Sequence, residues 1–261
     1  MALSAFDMAI WDATAIAAGL PLATMLGADR TFMPAYDSRG LGLMPTDDLA
    51  RQTEQLLELG LGALKLRLGY PTLAEDLAAL KTVREHAPED VSIMVDYNQA
   101  LTTAEAIRRG KALQQEGILW LEEPIRHDDY RGNASIARNL DVPVQIGENF
   151  NGPEAMADAI ALDACDYVMP DIARIGGITG WMHAAGIAAG HGMEMSSHLM
   201  PELSIHALCA SPTAQWIEYV DWADPILEQP VCIEKGRIRV PKQPGFGISW
   251  SEEKLRHLEM I

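Results

Sequence analysis

Along the chain, short apolar runs alternate with amphipathic stretches, the order expected of parallel strands joined by crossover helices. A helix is predicted from about Ser4 to Met25, followed by a strand over Met33–Asp37. The next helix starts at Thr46 and stops at Gly60, where a glycine suits a C-terminal cap. Ala63–Leu68 reads as a second strand, after which Leu73, Leu77, Leu80 and Val83 share one helical face. Ser92–Asp96 is the third strand, and Thr102 with Glu105 predicts a capping box on a helix ending near Gly117. Further strands follow at Ile118–Glu122, Val142–Glu148, Tyr167–Asp171, Met193–His198 and Trp216–Val220. Helices lie between them, opening near Pro153, after Gly176-Gly177 and after Pro201. Eight strand-like runs with intervening helices predict an α/β barrel of the TIM type. From about Asp224 the chain becomes rich in proline and glycine, with a β-like piece at Gly236–Val240. Residues 224–261 are therefore expected to form a tail packing over the barrel.

Composition narrows the partners. The 261 residues fit one large domain, with 48% hydrophobic and 22% charged residues. Thirty-seven acidic against 20 basic residues leave a net charge of −17, which argues against nucleic acid or an anionic membrane surface. A bound metal can still reverse the local field for a small anionic ligand. No apolar run reaches membrane-spanning length, and the opening MALSAFDMAIWDA lacks a basic region, so a secretory signal is not expected and a cytoplasmic location is. Three scattered cysteines are too few for a disulfide framework.

The chemistry is announced by where acidic residues fall. Asp96, Glu122 and Glu148 each end a hydrophobic run, at successive spacings of 26 residues. Strand C-termini of a parallel barrel converge on one mouth, where active sites form. Three carboxylates there repel one another unless a cation sits among them, and an oxygen-only set favours a hard ion such as Mg²⁺ over zinc. A metal-dependent hydrolase barrel would call for histidine-rich ligands instead. Asp171, His198 and Glu218 continue the series at the sixth, seventh and eighth strands. A histidine held by a carboxylate is raised in basicity, which suits a general base. His86, His127, His183, His191, His206 and His257 fall outside the strand-end register and read as ordinary core or surface residues. Lys65 and Arg67, two apart on the second strand, face inward, while Leu64, Leu66 and Leu68 face the helices. Gly176-Gly177 with Thr179-Gly180 lacks the lysine of a phosphate loop and reads as a turn opening a helix. Glu123 is expected to point away from Glu122, and Arg174, just past the sixth strand, is a lesser site candidate.

Taken together, SAFDMAIWDA, AYDS, ALKLRLGYP, IMVDYNQ, WLEEP, VPVQIGEN, MPDIARIGGITGW, MSSHLMPE and PGFGISW resemble the enolase superfamily, and mandelate racemase in particular, over nearly the whole chain. The resemblance implies a (β/α)₇β barrel spanning residues 1–261, with Asp96, Glu122 and Glu148 as Mg²⁺ ligands. It implies Asp171 and His198 as the proton-transferring dyad, with Glu218 and Lys65 beside the substrate carboxylate as it gains enediolate charge. Asn98 and Ser38 would lie near that carboxylate, and Leu199 would wall the site. The implied partner is a small 2-hydroxy carboxylate; a homo-oligomer is the family expectation. Two departures stand out. Arg67 replaces the second lysine base, and a guanidinium hardly deprotonates, which speaks for an acid-sugar dehydratase (a lyase), while the overall similarity and the apolar wall of Leu199 and Val220 lean to a racemase (an isomerase), so both stay open. The family's N-terminal capping domain has no counterpart in these residues, so the alternative expectation is a truncated or catalytically silent barrel.

Overall fold

The computed structural model describes residues 1–258, with side chains through 256; the side chain of His257 and residues 259–261 of the predicted tail lie outside the described residues. The opening segment forms two helices, α1 (Ala2–Ala18) and α2 (Leu22–Met25), where one is predicted. Gly19, at φ 68°, takes the left-handed conformation that ends α1, and Pro21 follows it at the cap of α2. The barrel strands are β1 (Phe32–Asp37), β2 (Ala63–Arg67), β3 (Ser92–Asp96), β4 (Leu121–Glu122), β5 (Val144–Ile146), β6 (Tyr167–Val168), β7 (Glu194–Met195) and β8 (Ile217–Tyr219). Helices α3 (Thr46–Leu57), α4 (Leu73–His86), α5 (Thr103–Leu113), α6 (Tyr130–Ala137), α7 (Pro153–Ala161), α8 (Gly177–His191) and α9 (Pro201–Cys209) connect them.

Neighbouring strands pair in parallel from β1 to β7, and β8 pairs in parallel with β1. The ring closes between β7 and β8 through a Met195–Ala214 bridge and the Ser197 N–H donating to the Trp216 carbonyl at 3.0 Å. The result is a (β/α)₇β barrel. Strand alternation sorts its apolar residues into two cores. Leu64, Leu66, Val95, Leu121, Val144 and Ile217 join the large core between strands and helices. Tyr36, Ala63, Met94 and Trp120 fill the lumen, with the Tyr36 and Trp120 rings edge to face at 5.5 Å.

α1 packs on α8, and α2 on α9. The glycine-rich opening of α8 is capped from outside its own segment: Asp7 of α1 accepts from the Thr179 N–H at 3.0 Å and the Thr179 hydroxyl at 2.5 Å. Trp11 Nε1 donates to that hydroxyl at 2.9 Å. The protein's own carboxylate thus takes the anion position at this helix N-terminus, in keeping with a structural turn. A Cβ on Gly177 would fall 2.5 Å from Asp7 Oδ2, and one on Gly180 would fall 2.0 Å from the Ile175 carbonyl oxygen. Side chains are excluded at both by contact, and at Gly177 also by its φ of 69°.

The tail makes a hairpin of β9 (Ile233–Glu234) and β10 (Arg237–Arg239), and β10 pairs antiparallel with Phe32–Pro34. It therefore extends the sheet at the starting end of β1, away from the strand C-termini. Helix α10 (Glu252–Leu258) follows. Among the described residues no helix is long and apolar enough to cross a membrane. Cys165, Cys209 and Cys232 are unpaired.

Candidate active site

Seven predicted residues meet at the C-terminal mouth as two linked groups. The first surrounds Lys65, the inward residue of β2, which is only 2% exposed. Its Nζ lies 2.6 Å from Glu218 Oε1, 2.8 Å from Glu122 Oε1 and 3.4 Å from Asp96 Oδ2. All three carboxylates are fully buried. Trp120 Nε1 holds the other oxygen of Glu122 at 3.1 Å, and the Leu199 N–H holds the other oxygen of Glu218 at 2.8 Å. Burial opposes charge on Lys65, but the fields of Glu122 and Glu218 outweigh it and keep the ammonium well above its ordinary range. Burial pushes Glu122 up, with Asp96 and Glu218 adding to it; Glu218, closest to the ammonium, is drawn down against its own burial cost.

The second group is centred on His198, just past β7. Its Nδ1 lies 2.8 Å from Asp171 Oδ2, and its Nε2 lies 3.2 Å from Glu148 Oε2. Burial works against a charged imidazole, yet the hydrogen bonds to Asp171 and Glu148 raise it to about 10. Glu148 itself is pushed up by burial and brought below the usual range by His198. Asp171 is set by its own loop, accepting from the Ala173 N–H at 2.7 Å. The Coulomb influence of Glu218 on His198, and of Lys65 on Glu148, ties the two groups together.

Asn98 and Leu199 sit at the mouth with φ of 42° and 48°, bending the chain over the strand ends. Asn98 spends its backbone N–H and its Nδ2 on the two oxygens of Asp96, at 2.7 and 3.0 Å. Arg67 turns away from the carboxylates. Its guanidinium donates to the Gly40 carbonyl at 2.9 Å and to Ser38 Oγ at 3.1 Å, pinning the loop after β1.

Two residues beyond the predicted set belong to the site. Glu123, expected to point away, has φ 37°, which breaks strand alternation and turns its carboxylate back. It accepts from the Gly147 N–H and from Asn149 Nδ2, both at 3.3 Å, on either side of Glu148. Burial and the Glu148 charge raise it to about 8. Asn149 was signalled only by its place beside Glu148. The other histidines behave as expected where they are described: His206, for example, is wholly buried between the Ala23 N–H and the Phe246 carbonyl.

Among the described residues no three acidic, histidine or cysteine side chains are already drawn around one ion position; the Lys65 ammonium stands between Asp96, Glu122 and Glu218 instead. The donors nevertheless fit a hard divalent cation. They are carboxylate oxygens throughout, and among the described residues the basic side chains that pair with Asp96, Glu122, Glu148, Asp171 and Glu218 are Lys65 and His198 alone. Glu218 Oε1, though close to Lys65, is buried without a directed hydrogen bond.

A parallel barrel whose successive strand ends carry acids, a lysine and a carboxylate-held histidine defines a class. The chain belongs to the enolase C-terminal domain-like family, whose model matches residues 48–254. It is 34% identical to L-talarate/galactarate dehydratase of Salmonella typhimurium over 260 residues, covering 99% of this chain and 65% of that enzyme. An enolase from alpha pretobacterium bal199 with bound Mg superposes with a TM-score of 0.95 at 42% identity, over 98% of this chain and 72% of that one. A Bradyrhizobium enolase complexed with magnesium and mandelic acid gives 0.93 at 39%, over 98% and 71%.

Proposed function

We propose that this chain is a Mg²⁺-dependent enzyme that removes the proton α to the carboxylate of a small 2-hydroxy acid. The observation that carries the reading is a carboxylate-oriented imidazole, His198, set against an all-oxygen cluster organised round one buried lysine. Asp96, Glu122 and Glu148 would hold the ion, whose charge offsets the second negative charge developing on the substrate carboxylate. Lys65 supplies a fixed positive charge beside that carboxylate, and Glu218 hydrogen-bonds it as enediolate character grows. Asp171 keeps Nδ1 protonated, so Nε2 is the atom that takes the α-proton. Drawing the Glu148 charge elsewhere removes one of the partners that keep a proton on His198, and so readies it as a base.

Arg67 bears on which product forms. A guanidinium bound to Ser38 and Gly40 offers no proton acceptor on the opposite face of the substrate. This favours β-elimination over racemisation. The C–H electron pair moves onto the carboxylate oxygens and returns to expel the β-hydroxyl, which leaves as water with the proton carried by His198. The enzyme is then a lyase of the acid-sugar dehydratase type, in keeping with the dehydratase relative.

The test is ¹H NMR of mandelate and several aldonates and aldarates in D₂O with Mg²⁺. The expected outcome is loss of the α-proton signal with a dehydrated keto acid appearing, abolished by chelator and slowed a hundredfold or more in His198→Asn. No exchange on any acid by folded, metal-loaded protein refutes the reading.

A further inference from the structure

Arg174 has no part in that chemistry, and its two ends do separate work. Its backbone N–H donates to Asp171 Oδ1 at 3.2 Å, while its guanidinium Nη1 donates to Asn149 Oδ1 at 2.8 Å. The second bond settles which way the Asn149 amide faces, oxygen to the cation and nitrogen to the carboxylates. Asn149 Nδ2 accordingly lies 3.1 Å from Glu148 Oε1 and 3.3 Å from Glu123 Oε2. An amide turned the other way would present its oxygen to two anions. Glu148 Oε2 meets His198 Nε2 at 3.2 Å, and His198 Nδ1 meets Asp171 Oδ2 at 2.8 Å. The contacts close into a ring: the Arg174 main chain, Asp171, His198, Glu148, Asn149 and the Arg174 guanidinium.

The loop does not need the guanidinium to keep its path. The Gly152 N–H donates to the Arg174 carbonyl at 3.2 Å, and the Ile175 N–H to the Asp171 carbonyl at 2.8 Å. Main-chain bonds fix the backbone, and Arg174 is exposed at the rim. What the side chain adds is the orientation of one amide.

We propose that Arg174 is a positioning residue for the proton-transfer step: through Asn149 it ties the Glu148 carboxylate to the loop that carries Asp171, and so fixes Glu148 relative to the imidazole that Asp171 orients. The proposal rests on the reading of His198 as the base. Arg174→Met keeps the alkyl stem and both main-chain bonds, and removes only the charge-assisted bond to Asn149. We expect it to lower kcat for α-proton exchange about tenfold, with KM within about twofold, as loss of one such bond predicts. The ring N–H resonances of His198 in ¹⁵N-histidine-labelled protein shift or broaden with it, and Arg174→Lys restores most of both. Asn149→Ala reproduces the defect, and the double variant is no worse than either single one.

Unchanged His198 resonances in Arg174→Met overturn the proposal, as do fully additive losses in the double variant. If wild type exchanges no acid at all, the functional reading fails by itself. The histidine resonances, recorded without substrate, still decide whether the ring positions His198.

Discussion

Lys65 shows how much of this site is electrostatic housekeeping by one side chain. It stands among Glu218, Glu122 and Asp96 with 2% exposure, and among the described residues no other basic side chain pairs with any of the three. Removing one partner of a buried ion cluster leaves the others uncompensated, at a cost of about 3–5 kcal/mol. Lys65→Met should therefore lower the unfolding free energy of metal-free protein, read from urea denaturation, by an amount in that range, and Mg²⁺ should recover part of it. A variant as stable as wild type without metal would show that water already screens the carboxylates. The inward aim of Lys65 was legible in the sequence because strand alternation fixes it once Leu64 and Leu66 claim the helices. The paths of Arg67 and Glu123 were not. One depends on where the loop after β1 offers carbonyls, the other on a positive φ that no residue type at position 123 announces.

At the scale of elements, sequence patterning located the eight barrel strands, mostly with longer bounds than the ladders have, and it erred where tertiary partners intervene. Ser92–Asp96 matches, but of the apolar run Ile118–Glu122 only Leu121–Glu122 forms regular strand, although the Leu119 N–H and the Trp120 carbonyl still bond to β3. The predicted capping box at Thr102 is half made. Thr102 accepts from the Glu105 N–H, while the Glu105 carboxylate is taken by Arg108 and Arg109. A complete box appears instead at Thr72 and Glu75. The α8 N-terminus is the other case, since its cap, Asp7, lies 172 residues away in sequence. Asp7→Ala removes an N-terminal cap and should cost about 1–2 kcal/mol. Hydrogen exchange should localise the effect to the amides of residues 177–180; uniform loss of protection across the barrel would contradict a local cap.

The whole molecule is fastened at a point remote from the mouth. His206 of α9 accepts the Ala23 N–H at 3.2 Å and bonds the Phe246 carbonyl at 3.0 Å. The Phe246 N–H goes to Asp12 of α1 at 2.7 Å. One imidazole thus joins α2, α9 and the tail, and burial lowers it to about 4. The unfolded chain binds a proton near pH 6.5 and the folded chain only near 4, so stability is complete above 6.5 and lost as pH falls through that window. The expected loss attributable to His206 is roughly 3 kcal/mol, read as the difference in pH dependence of urea unfolding between wild type and His206→Gln. Parallel curves would refute it. Such fastening was illegible beforehand, because it joins segments that no periodicity relates. The site was legible because a barrel gathers every strand end into one ring.

The tethering of Arg67 also has a meaning for handedness. In the reaction proposed above, with one proton acceptor on one side of the bound acid, the two mirror-image forms of a 2-hydroxy acid would become unequal substrates. Only the antipode that presents its hydrogen to His198 would be processed, and its mirror image would persist in solution. A racemic feed would then leave this protein enriched in one hand, so a chain built on a racemase-like frame would act as a resolving agent.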